Sequence, residues 1–308
     1  MLTAILITLS IVALGYGLRQ VGLVPDDAWV YVGRLCYWVL FPGLLFNLMS
    51  RAPLGSGFVG SFILTLAIGS AVILGYALLA GWLARLDGPS ASSLVQGALR
   101  HNGFLVLSVV QGAFGMAALE IVAIAIAFLV PISNVVSIVA LLSLKPRGQA
   151  GSLRRAVARE TLRNPLVASI VAGVVVNLLA IPVPAFVTGM GEMLGNGALP
   201  LLLLGIGASL RFSAIQGDAV PLILAVVAKI LLFPFCLVMV GAQLGLEPLS
   251  LAVIAAVGAA PTATSSFALA SELGGNTRLM AEMISVQTLA AALSIPVWIW
   301  VSTRMVAG

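Results

Sequence analysis

The sequence predicts an all-α membrane protein of ten transmembrane helices, arranged as two inverted five-helix repeats. Three observations lead there. Apolar residues make up 61% of the 308 and charged residues only 8%, against about 25% charged in soluble domains. A dense basic segment divides the chain near its middle. Five apolar blocks precede that segment and five follow it.

So few charges cannot cover a water-exposed surface. Runs of about 18 or more apolar residues read as membrane spans, because about 20 residues at 1.5 Å rise cross a hydrocarbon core of roughly 30 Å. Only helices and closed barrels satisfy their backbones in lipid. A barrel would show short alternating segments, and these blocks do not alternate. The net charge of +5 is explained by topology rather than by nucleic-acid binding, since much of it sits in one connection. Cys36 and Cys236 lie far apart in apolar segments. They read as two unpaired thiols, with a disulfide or metal pair as the alternative.

In order, the spans are expected near 1–18, 28–49, 57–84, 90–115, 117–144, 165–180, 198–210, 219–244, 249–273 and 278–305. The first is apolar from the start, with no basic leader and no small-residue cleavage site before Arg19, so it reads as a span and not as a cleaved signal. Boundaries carry turn residues: Pro25-Asp26-Asp27, Asp87-Gly88-Pro89-Ser90, Glu247-Pro248 and Gly274-Gly275-Asn276. Asn164-Pro165 has the form of an N-cap followed by proline at the first helical position. The seventh span is short, because its clearly apolar stretch follows Pro200.

The connection after the fifth span holds Lys145, Arg147, Arg154, Arg155, Arg159 and Arg163 against the single acid Glu160. Under the positive-inside rule it is cytoplasmic. Both termini then lie outside. The other inner loops carry Arg19, Arg85, Arg211 and Arg278, whereas the outer side carries only Arg51 and Arg304. The organisation expected is a first repeat over 1–145, a basic cytoplasmic linker over 146–163 and a second, inverted repeat over 164–308. Weak echoes accompany the count. Gly15-Tyr16-Gly17 parallels the Gly173 to Asn177 stretch, and Pro42-Gly43-Leu44-Leu45-Phe46-Asn47 parallels the stretch from Pro200 to Gly205. Five plus five spans with such echoes favour an inverted-repeat transporter.

Such proteins bind substrate near the bilayer midplane, where helices are interrupted. The fourth span is interrupted by Arg100-His101-Asn102-Gly103, about ten residues in, hence about 15 Å deep. The ninth is interrupted at Ala260-Pro261-Thr262-Ala263-Thr264. Pro261 has no N–H and crowds the preceding turn. It is either a plain kink or part of a binding site lined by unwound backbone. Two half-helix N-termini meeting there would favour an anion.

Arg100 and Lys229 are cations inside spans, where each costs roughly 2.5–3.5 kcal/mol on insertion scales. No aspartate lies at their depth: Asp26, Asp27, Asp87 and Asp218 all fall at loops or ends. An anionic substrate would balance them. The alternatives are snorkelling or bonding to freed carbonyls. Arg34 sits among Trp29, Tyr31, Tyr37 and Trp38 and belongs to the interface belt. His101, the only histidine, is either a structural residue or a proton relay. Asn47 and Asn134 are amides deep in apolar spans, suited to interhelical bonds or to ligand contact. No metal-ligand cluster and no H-E-x-x-H pattern is visible, so neither a metal site nor a cofactor is expected.

Five stretches carry a family resemblance across the whole chain. They are Phe41-Pro42-Gly43-Leu44-Leu45-Phe46, Pro131-Ile132-Ser133-Asn134-Val135-Val136-Ser137, Arg163-Asn164-Pro165-Leu166, Pro200 with Gly205-Ile206-Gly207-Ala208-Ser209-Leu210, and Ala260-Pro261-Thr262-Ala263-Thr264. In these the chain resembles the auxin efflux carrier family in its short bacterial form, a group that includes proteins described as malonate and malate permeases. The resemblance implies a bile-acid-symporter-like fold. In that fold spans 1, 2, 6 and 7 form a scaffold, often a homodimer interface. Spans 3–5 and 8–10 form a mobile transport domain around crossed helices 4 and 9. It also implies that Asn102 and Pro261 mark the crossover, with Asn134 beside it. Plant members carry proline at the helix-4 crossing, where this chain has Asn102-Gly103, and their long cytoplasmic loop is missing here.

The expected function is therefore elevator-like, alternating-access transport of a small organic carboxylate in a bacterial inner membrane, not catalysis. Asn102, Asn134, Asn47, Pro261, Thr262 and Thr264 would bind substrate, with Arg100 or Lys229 supplying positive potential. The partners expected are the substrate anion, the lipid bilayer and a second copy of the chain, with no nucleic acid. A cation/proton antiporter or a sodium-coupled symporter on a related fold is the alternative. An antiporter normally needs buried carboxylates, and Glu120, Glu272 and Glu282 fall near span ends.

Overall fold

A computed structural model describes residues 2–144, 157–158, 162–210 and 219–307. Among these residues all regular structure is helical. The helices are α1 (Leu2–Gln20), α2 (Asp26–Leu35), α3 (Phe41–Arg51), α4 (Phe58–Leu83), α5 (Gly88–Leu99), α6 (Gly103–Phe114) and α7 (Met116–Ser143). They continue with α8 (Pro165–Leu178), α9 (Ala185–Ser209), α10 (Ala219–Val227), α11 (Phe233–Gln243), α12 (Pro248–Ala259), α13 (Ser265–Leu273) and α14 (Thr277–Ala307). Most of the basic linker, including Lys145, Arg147, Arg154, Arg155 and Arg159, lies outside the described residues, as do Arg211 and Asp218.

Among the described residues six segments are long and apolar enough to cross a membrane: Asp26–Arg51, Phe58–Leu83, Met116–Ser143, Ala185–Ser209, Ala219–Gln243 and Thr277–Met305. The other expected spans fall on shorter helices for visible reasons. The fourth and ninth are each split in two, α5 with α6 and α12 with α13. The sixth starts at its cap, where Asn164 Oδ1 accepts the N–H groups of Leu166 at 3.0 Å and Val167 at 3.3 Å. The seventh is longer than its apolar stretch suggested. α9 runs from Ala185 to Ser209 with Pro200 inside, and its glycine-rich first half is held by packing rather than by hydropathy.

Two segments pass through a π turn, Cys36–Leu40 between α2 and α3 and Ala228–Leu232 between α10 and α11. Both turns run into the same tripeptide, Leu40-Phe41-Pro42 and Leu232-Phe233-Pro234. Proline removes one helical donor and crowds the carbonyl four residues back, so the chain widens just before it. The carbonyl that Pro234 leaves without its helical donor, Ile230 O, accepts the Trp298 indole N–H at 2.8 Å.

The chain divides into two compact units, and each draws on both halves of the sequence. The first comprises Met1–Val59, Phe104–Ala127 and Leu162–Leu210. The second comprises Gly60–Gly103, Phe128–Thr161 and Arg211–Gly308. The family resemblance implied that spans 4 and 5 would go wholly with spans 3 and 8–10. Instead residues 104–127 join the first unit, where the Phe104 ring lies 3.9 Å from that of Phe41.

The first unit is built on close backbone approaches. A Cβ added to Gly15 would overlap the carbonyl oxygen of Leu204, and one on Gly207 would overlap that of Val12, so α1 and α9 touch main chain to main chain. Gly173 of α8 sits against Phe46 O and Met49 of α3 in the same way. Asn177 then donates to Met49 O at 3.0 Å and Ala52 O at 2.8 Å, carbonyls at the end of α3 that lack helical donors. Arg19 joins Asp26 at 2.8 Å and Ala208 O at 3.0 Å, and Arg51 joins Glu192 at 2.9 Å. Arg34 lies 6.0 Å from the Tyr31 ring centroid.

In the second unit α4 packs through Gly69 on Leu237 and Phe233, and α12 packs through Gly258 on Pro234. Ile138, Leu141 and Leu269 form one buried apolar cluster. Ala270, Met280 and Ile284 form another. Cys36 and Cys236 are free thiols, one in each unit.

Candidate functional site

The second unit contains both helix interruptions. α5 is capped at its start by Asp87, whose carboxylate accepts Ser90 N–H at 2.9 Å. It stops at Leu99 because Arg100 turns extended, with φ −69° and ψ 146°. α12 stops in the same way, at Ala260, with φ −67° and ψ 142°. The two breaks are bonded to each other: Asn102 N–H donates to Pro261 O at 2.7 Å. Asn102 thus reaches the second break through its backbone.

Thr262 strengthens the join. Its hydroxyl donates to Gly97 O at 2.7 Å and its N–H donates to Gln287 Oε1 at 2.9 Å. Both groups are fully buried. Arg100 Nη2 donates to Ser265 Oγ at 2.8 Å, at the first residue of α13. Farther along, Asn276 ties the start of α14 to the start of α5 through Ser93 Oγ at 3.0 Å and Ser90 Oγ at 3.1 Å.

Several polar side chains near the breaks are buried with hydrogen-bonding capacity left over. Among the described residues, both ring nitrogens of His101, both amide atoms of Gln96, Ser266 Oγ and Lys229 Nζ have no hydrogen-bond partner. Gln96 stands in the last turn of α5, and its carbonyl accepts the Arg100 N–H at 3.0 Å. Lys229 lies in the π turn and is fully buried. Its ammonium sits 4.6 Å from the Phe233 ring centroid, a cation–π contact. Three carbonyls in and before that turn accept side-chain donors. Tyr76 Oη donates to Leu224 O at 3.3 Å, Gln287 Nε2 to Ala225 O at 3.0 Å and Trp298 Nε1 to Ile230 O at 2.8 Å.

The structure thus joins Asn102 to Pro261 directly, ties Arg100 to Ser265 and Thr262 to Gly97 and Gln287, and keeps Lys229 and His101 in the same unit. Thr264 is half-buried at the N-cap position of α13 and makes no capping bond. Asn134 is half-buried on α7 within the second unit, and no hydrogen bond links it to either break. Asn47 belongs to the first unit, where it is buried against Gly191. Glu282 is buried but ion-paired with Arg278 at 3.3 Å. No group of three or more potential metal ligands occurs among the described residues.

Gln96 and Gln287 were not singled out from sequence. The available signal was the one that marked Asn47 and Asn134: a lone amide inside an apolar run.

Over residues 136–299, a little over half of the chain, the sequence matches the family described as membrane transport protein. The match covers the π turn, the second break and Gln287. A protein of Methanothermobacter thermautotrophicus (strain Delta H), described as an uncharacterized transporter, is 26% identical over 302 residues, 96% of each chain.

Proposed function

We propose that this chain, which belongs to the membrane transport protein family (the auxin efflux carrier family) and is an integral membrane protein, carries a small organic carboxylate by alternating access. The observation that carries the reading is the fully buried Lys229 ammonium, which has no hydrogen-bond acceptor among the described residues, in the same unit as the two joined helix breaks. A buried, uncompensated charge is costly. The carbonyl that Pro234 frees in that turn, Ile230 O, accepts the Trp298 indole N–H. An anion entering from water supplies the missing counter-charge. The unpartnered Gln96 amide, His101 ring and Ser266 hydroxyl offer it hydrogen bonds.

Asn102, Pro261 and Thr262 in this reading hold the breaks in shape, and Arg100 adds positive potential. The Asn102 side chain, Thr264 and Asn134 contact substrate, and His101 is the group available for a proton. Ten spans in two inverted repeats, an elevator-like excursion of the second unit, a homodimer through spans of the first, and both termini outside a bacterial inner membrane complete the proposal. Its support is the interleaved division of the chain, which gathers α1, α3, α8 and α9 into one unit and α5, α10, α12, α13 and α14 into the other.

The test is uptake into proteoliposomes of labelled malonate, malate and an indole carboxylate, with and without proton and sodium gradients. Saturable uptake of one acid, reduced at least tenfold in Asn102→Ala and Lys229→Met, is the expected result. Full uptake by both variants would sink the site. Wild-type protein that is folded yet carries no acid would sink the substrate class. Uptake driven by sodium alone would favour the symporter.

A further inference from the structure

Gln287 stands on α14 and is fully buried. Its Nε2 donates to Gly97 O at 3.0 Å and to Ala225 O at 3.0 Å, and its Oε1 accepts Thr262 N–H at 2.9 Å. A primary amide has two N–H donors, and both are used. The partners lie on three separate segments. Gly97 is in the last turn of α5, whose final carbonyls lack helical donors because the helix stops at Leu99. Thr262 is inside the second break. Ala225 is one helical turn before Lys229. The Thr262 hydroxyl closes the ring onto Gly97 O at 2.7 Å. At Gly97 an added Cβ would lie 2.5 Å from Met283 Sδ and 3.2 Å from Ala225 Cβ. The three helices therefore meet with no room for slack.

We propose that Gln287 is the positioning residue of the transport site: it locks both helix breaks and the Lys229 turn into one arrangement, and so sets how far the ammonium stands from bound anion. The step from arrangement to affinity rests on the reading of Lys229 as the anion's counter-charge. The expected size follows from Coulomb attraction. At an effective dielectric constant of about 20, moving a charge from about 4 to about 5 Å weakens binding about fourfold.

Gln287→Met keeps the volume and removes all three bonds. Gln287→Glu, should the first variant express poorly, keeps an acceptor for Thr262 N–H. Hydrogen exchange on the full chain in nanodiscs reads the clamp without any substrate. Exchange is expected to speed up together in 97–102, 225–232 and 259–264, by at least tenfold at the Thr262 amide. Trp298→Phe, which removes the indole bond to Ile230 O and keeps a ring beside Phe235, should deprotect 228–235 alone. In uptake assays with whichever acid the wild type carries, KM should rise about fourfold with Vmax within twofold. A residue that served only to keep the protein folded would instead lower Vmax with the active fraction. Unchanged exchange in any of the three segments overturns the proposal, as does a fall in Vmax at constant KM. If the wild type carries no acid, the anion reading fails on that result alone, and the exchange pattern still decides whether Gln287 holds the three segments.

Discussion

Gly207→Ala and Gly205→Ala sit two residues apart on one helix and should change stability in opposite directions. By intrinsic propensity each replacement favours the helix by about 1 kcal/mol. At Gly205 nothing lies within 4 Å of an added Cβ, so the gain should be felt in full or in part. At Gly207 the new atom would overlap Val12 O and stand 2.9 Å from Tyr16 N. These are backbone atoms of α1 and cannot rotate away, so the two helices must separate by roughly 1 Å. Overpacking costs about 1–3 kcal/mol, and a backbone obstacle belongs at the upper end. The net for Gly207→Ala is then a loss of about 2 kcal/mol, and the two variants should differ by about 3 kcal/mol. Gly15→Ala against Gly17→Ala repeats the contrast from the other helix, since Gly15 faces Leu204 and Gly17 faces open space. The assay is equilibrium unfolding of purified protein in mixed micelles titrated with dodecyl sulfate, followed by helical circular dichroism. The reasoning is refuted if Gly207→Ala unfolds within about 0.5 kcal/mol of wild type, or if both variants move the same way.

Lys229→Met should be no less stable than wild type in the same titration, because removing an uncompensated buried charge offsets the lost contact with Phe233, while anion uptake falls at least tenfold. A stability loss above about 1 kcal/mol would show that the ammonium serves the fold. Trp298→Phe leaves Ile230 O without a donor and should cost about 1 kcal/mol, within the range measured for hydrogen bonds in membrane proteins; an unchanged titration would mean that another donor takes its place.

Much of the architecture was legible because apolar run length is a direct readout of bilayer thickness. Boundary chemistry was legible too. Asn164 and Asp87 cap the helices they precede, and Gly274 takes the left-handed conformation, φ 76°, that a helix C-terminus asks of glycine. Both helix interruptions were found where charge, amide and proline break an apolar run. The length of α9 was not, since Gly189, Gly191, Gly195 and Gly197 weaken the apolar signal just where Gly191 and Gly195 let α3 approach. The π turns were hidden as well: proline at Pro42 and Pro234 marks a disturbance without saying whether the chain will kink or widen.

The sequence by itself determined the class, an integral membrane protein of the membrane transport protein family, along with its interruptions and its buried cations. Composition and local breaking tendencies act within a few residues, so they can be read along the chain. Which groups meet was decided only by tertiary structure. Asn102 meets Pro261 across 159 positions, and Gln287 meets Gly97 across 190. Those pairings depend on how helices far apart in sequence pack, and the need for them arises only once a break has stripped a carbonyl or an N–H of its helical partner.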